Sequence, residues 1–159
     1  MNQVSAPPAT DRAFRFWVRY LEGISLFFAA LGVLWAVAGS FDPLGVYDHY
    51  FARTFWGSDA LPPDARTAFR FILGPFGATS AGYFILQYCI ARYAFARREK
   101  WAYGAILTAF FAWFVIDTGM CLWYGGYFNI LMANVPSLLA MLPIVFTRKY
   151  FGDDAPQRH

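Results

Sequence analysis

The stretch WFVIDTGMCLWYGGYFNILMANVPSLLAMLP, residues 113–143, holds the end of one long apolar run and most of the next, joined by Gly125 and Gly126. A hydrocarbon core roughly 30 Å thick takes about 20 helical residues at about 1.5 Å rise each. Two such runs meeting at a glycine pair read as a membrane hairpin with a tight turn.

Outward from this hairpin, the same pattern recurs. Apolar runs predict membrane-crossing helices over about 18–39, 68–92, 101–124 and 126–147, with polar tails over 1–12 and 151–159. The chain is 58% apolar, 21% aromatic and 14% charged, far from a soluble composition. Backbone polar groups in lipid must be paired within their own segment, and the runs lack the two-residue alternation of a barrel strand. The expected fold is all-α: one integral membrane domain, 1–159, built as a four-transmembrane-helix bundle.

Charge sets the orientation. Arg12, Arg15, Arg19, Arg92, Arg97, Arg98, Lys100, Arg148, Lys149 and Arg158 are ten of the thirteen Lys and Arg residues, and all fall on one predicted side. Arg53, Arg66 and Arg70 fall on the other, together with Asp42, Asp48, Asp59 and Asp64. The positive-inside rule then puts both termini in the cytoplasm of a bacterial inner membrane. Trp17, Tyr20, Trp101 and Tyr103 mark the inner interface; Trp35, Trp123, Tyr124 and Tyr127 mark the outer one. The net charge of +3 is thus topological, and no basic stripe on a soluble face points to nucleic acid. Arg12 to Arg19 followed by an apolar run ending in AVAG (36–39) also suits a cleaved signal peptide, but the run is long for one and carries Glu22.

The first connection, 40–67, is the only long one. DPLGVYDHYFARTFWG (42–57) has aromatic residues at 47, 50, 51, 55 and 56 and a helix start at Asp42 and Pro43. It predicts a short helix, either lying on the outer membrane surface with its aromatic face down or packed as a lid on the bundle. LPPD (61–64) breaks the chain, and Pro63 and Asp64 open the second membrane helix.

Asp117 is the residue the composition does not explain. Seven positions before Tyr124, it sits about 10 Å below the outer boundary, where a carboxylate must pair, protonate or face water. Arg70 is the expected partner, entering from the same side on a face continued by Gly74, Gly77 and Ala81. Asn129 lies at similar depth to Arg70 and Asn134 a little deeper, and they complete an expected polar layer, with Thr118 and Thr79 nearby. The layer reads as an ion pair with amide hydrogen bonds fixing helix register, or as a ligand or proton site open to the outside. Glu22 and Gln87 form a second layer toward the cytoplasm, unless Glu22 extends toward Arg19 or the headgroups. Pro75, Pro136 and Pro143 predict kinks.

Cys89 and Cys121 fall near opposite membrane faces, which disfavours a disulfide, and no intramembrane His pair exists to ligate haem. Asp48 and His49 alone are too little for a metal site, so neither metal nor cofactor is expected. No nucleophile-elbow, zinc-protease or phosphate-loop motif appears. The blocks RFILGPFGATSAGYF (70–84) and WFVIDTGMCLWYGGYFNILMANVPSLLAMLP resemble those of small four-helix bacterial inner-membrane proteins of the DoxX-like kind. That resemblance covers helices two to four and implies a fold and a location, without any catalytic residue.

The expected function is therefore that of a non-enzymatic accessory or assembly factor acting through helix contacts with membrane lipids, a membrane-protein partner or a second copy. The alternative is small-molecule or lipid binding or transport at the outer polar layer, and a membrane enzyme is third.

Overall fold

The computed structural model describes residues 9–38, 42 and 44–152. The signal-cleavage position at Gly39, the helix-start residue Pro43 and most of the predicted polar tails lie outside them. Among the described residues every regular element is helical: α1 (Ala9–Ala38), α2 (Val46–Trp56), α3 (Pro63–Tyr93), α4 (Lys100–Trp123), α5 (Tyr127–Asn129) and α6 (Val135–Val145). A π turn, Ile130–Asn134, joins α5 to α6, and a 3-10 turn, Phe146–Tyr150, ends the path. The predicted fourth helix is thus one rod, interrupted where Pro136 cannot donate to the Met132 carbonyl and a wider turn absorbs the defect.

Among the described residues three stretches are long and apolar enough to cross a membrane: Arg12–Ala38, Lys100–Tyr124 and Tyr127–Tyr150. α3 has 31 residues, ample length, but Gly, Ala, Ser, Thr and Tyr dilute its hydropathy over GPFGATSAGY (74–83). Those small residues are there for packing. α3 lies antiparallel along α1, as successive contacts show: Glu22 with Arg92, Ser25 with Gln87, Phe28 stacked on Phe84, and Trp35 stacked on Phe76. At the crossing, a methyl on Gly77 would stand 2.5 Å from the Gly32 carbonyl oxygen and 2.6 Å from the Ala36 amide nitrogen. Glycine is therefore needed at both positions for the backbones to touch.

This pairing corrects an expectation. The sequence predicts that the row Gly74, Gly77 and Ala81 below Arg70 faces the helix that carries Asp117. It meets α1 instead, because α1 carries its own matching small residues, Ala29, Gly32 and Ala36.

The main core sits at the basic end. Phe14, Val18, Leu21, Ala91, Phe95, Ala102, Ile106, Met141, Ile144 and Phe151 pack into one cluster drawn from α1, α3, α4, α6 and the segments that follow α3 and α6. Two predicted interface tyrosines brace it, Tyr20 donating to the Ala140 carbonyl at 2.7 Å and Tyr103 to the Val145 carbonyl at 2.8 Å. A smaller cluster of Ala52, Leu61 and Phe69, with Tyr47, Phe51 and Leu73, sits at the opposite, loop end. It seats α2 on the start of α3, with Phe51 and Phe69 ring centres 4.3 Å apart. The Asp42 carboxylate accepts from the Val46 and Asp48 amides at 3.0 and 2.9 Å, fixing where α2 begins. Tyr47 and Phe51 face the bundle, while Tyr50, Phe55 and Trp56 remain exposed.

Candidate functional site

At the loop end of the apolar region, side chains of α2, α4, α5 and the π turn converge on Asn129. Its amide nitrogen lies 3.2 Å from Asp117 Oδ2, 3.2 Å from Cys121 Sγ and 3.5 Å from Asn134 Oδ1. An amide carries two hydrogens, so three acceptors share two donors. Asn134 is fully buried and donates to Thr118 Oγ1 at 2.7 Å. The Cys121 thiol points at Asp117 Oδ2, 3.7 Å away. Tyr47 of α2 closes the outer edge, its hydroxyl donating to Asn129 Oδ1 at 3.1 Å.

Local geometry explains how these groups meet. Asp117 and Cys121 are one turn apart on α4, hence on one face. Asn129 and Asn134 are five apart, about 140° around an ordinary helix at about 100° per residue. The π turn, whose hydrogen bonds span five residues, brings them together.

Of the expected layer, then, the structure brings together Asp117, Asn129 and Asn134, with Thr118. Arg70 is elsewhere, and this is a correction. No ion pair joins it to Asp117, and it makes no hydrogen bond among the described residues. α3 turns its small-residue face to α1, so Arg70 comes out exposed at the loop end. Thr79 is exposed too and takes no part. Cys121 and Tyr47 were missed; the four-residue spacing from Asp117 could have flagged the first, but only docking of α2 reveals the second.

Arg70 instead lines a cavity of about 200 Å³ between α2 and the start of α3, with Gly45, Asp48, His49, Asp59, Leu61 and Arg66. One wall is already paired: Asp59 lies 3.3 Å from Arg53 and 3.8 Å from His49. Asp48 is not. Its Oδ1 is buried without a hydrogen-bond partner. Burial first and Asp42 second push its carboxyl above the usual carboxylate range, against a downward pull from Arg66 and Arg70.

The second expected layer also divides. Gln87 donates to Ser25 Oγ at 3.0 Å, and Ser25 donates to the Leu21 carbonyl at 2.7 Å. Glu22 pairs with Arg92 at 3.4 Å rather than with Gln87 or Arg19. Both contacts join α1 to α3.

The Asp117 network pairs within itself. Among the described residues no group of three His, Cys, Asp or Glu side chains is placed to hold a metal ion. No protein-family model, curated protein or solved structure matches the chain, so the DoxX-like resemblance stays one of architecture and assigns no residue a role.

Proposed function

We propose that this protein is a multi-pass accessory or assembly factor of a bacterial inner membrane, working through contacts between its helices and those of a membrane partner or a second copy. The carrying observation is a second row of small residues, Gly104, Thr108 and Ala112 on α4, which is exposed rather than consumed within the chain. Thr108 and Ala112 border an apolar groove of about 590 Å³ with Leu107, Phe111, Val115 and Ile116. Where α1 and α3 meet, rows of this kind are what allow close approach. Without a hydrophobic drive between helices in lipid, such rows are where association gains its contacts.

Four spans with both termini cytoplasmic and α2 on the outer surface are part of this reading. Antiparallel packing of α3 along α1 supports the fourth span, and the ten-to-three division of basic residues supports the orientation. A reporter fused after His159 stays inside and one inserted near Ser58 is exported; both on one side would defeat the topology. A photo-crosslinking residue at Ala112 yields a discrete protein adduct in membranes, whereas one at lipid-facing Leu139 yields none. Lipid adducts alone at both positions would defeat the partner reading. The cavity at Arg70 favours a second reading, recognition of a small molecule or lipid.

A further inference from the structure

Asp48, Arg66 and Arg70 line the cavity between α2 and α3, and no ion pair joins the carboxylate to either guanidinium among the described residues. Asp48 Oδ1 is buried and lacks a donor. Arg70 makes no hydrogen bond or ion pair among the described residues, and Arg66 reaches only the Leu61 carbonyl, at 3.4 Å. No Asp48–Arg contact within 4 Å exists, although both guanidinium groups are near enough to stabilise the carboxylate. Asp59 is engaged by Arg53 and His49, so the unmet capacity is one acceptor and the arginine donors.

We propose that this cavity binds a primary-amine zwitterion of the phosphoethanolamine kind, its phosphate on Arg66 and Arg70 and its ammonium on Asp48. Arg66 and Arg70 are one helical turn apart, a spacing that lets two guanidinium groups hold one phosphate. An ammonium supplies the positive charge and N–H groups that no arginine brings to the Asp48 carboxylate lining the cavity. A volume of about 200 Å³ lies below the roughly 300 Å³ at which pockets for drug-sized ligands begin, and suits a headgroup. A bare cation is disfavoured by two arginines in the wall, and a bare anion leaves Asp48 unmet. The ring of cavity-lining His49 meets exposed Tyr50 at 5.5 Å, and Phe55 and Trp56 of the same helix are exposed too, aromatic residue types that settle at headgroup level. A lipid headgroup and free phosphoethanolamine share this chemistry.

The test is native mass spectrometry of the full chain released from nanodiscs holding equal phosphatidylethanolamine and phosphatidylcholine. The choline headgroup has the same phosphate but no N–H, so the ethanolamine lipid is retained by roughly tenfold or more, the weight of one hydrogen bond to a charged group. Asp48→Asn abolishes that preference, and the pair Arg66→Gln with Arg70→Gln lowers retention of both lipids, while circular dichroism stays helical. Equal retention of both lipids by the unaltered protein, together with no saturable binding of free phosphoethanolamine, overturns the proposal, as does a preference that survives in folded Asp48→Asn. In phosphatidylcholine nanodiscs, saturable binding of free phosphoethanolamine identifies a soluble ligand; ethanolamine-lipid retention without it identifies the lipid.

Discussion

Tyr47 and Asn129, 82 positions apart, share one hydrogen bond of 3.1 Å, and through it the helix of the first connection is tied to the polar network of the apolar region. The Tyr47 ring also meets Phe128 edge-on at 5.1 Å. α2 therefore closes over the network rather than lying apart from it.

Tyr47→Phe keeps the ring contacts and removes the donor to Asn129. The expected cost is about 1 kcal/mol, the net worth of one such bond, read from unfolding in mild detergent. The Tyr47 hydroxyl is pushed up to about 12, first by burial and then by Cys121, Asp117 and Asp48. An unfolded tyrosine ionises near pH 10, so between about pH 10 and 12 the folded chain holds the extra proton and stability falls as pH rises. Melting temperatures across that window decline less steeply in Tyr47→Phe.

Asp48 gives the opposite limb. Its folded carboxyl binds a proton at higher pH than in the unfolded chain, so its contribution favours folding as pH falls through the raised value toward about 4. Without ligand, Asp48→Asn melts at or above the parent temperature at pH 7 and lacks that acid-side gain. Paired thermal scans between pH 4 and 7 measure it.

Gly77→Ala and Gly32→Ala force backbones apart, since each added methyl meets main-chain atoms at 2.5 to 2.7 Å. Overpacking of this kind costs about 1 to 3 kcal/mol. Gly82→Ala is the control, because nothing lies within 4 Å of the added methyl. Equal stability of all three variants would show that α1 and α3 do not cross there.

Asn134→Leu removes the donor to the Thr118 hydroxyl, at about 1 to 3 kcal/mol, while the Asn129 amide keeps Asp117 and Cys121. Asp117→Asn and Arg70→Leu, by contrast, add within about 0.5 kcal/mol, since the two residues share no partner. A double-mutant cycle showing strong coupling would restore the ion pair.

The sequence by itself determined the helical class, the long apolar segments, the break at Leu61–Asp64 and the helix in the first connection, because each follows from residues close together along the chain. Apolar run length, proline at a helix start and the Asp42 cap are local causes with local effects. It also put Asp117, Asn129 and Asn134 in one outer layer, since rise per residue is constant. Only the tertiary structure decided which helix each face meets. Gly74, Gly77 and Ala81 could approach any neighbour with small residues, and α1 supplied them at Gly32 and Ala36. That choice rotated Arg70 away from Asp117 and into a cavity with Asp48, while the π turn before Pro136 swung Asn129 and Asn134 onto one side. Depth is set by counting along one helix; azimuth is set by which surfaces interlock, and that depends on two helices at once.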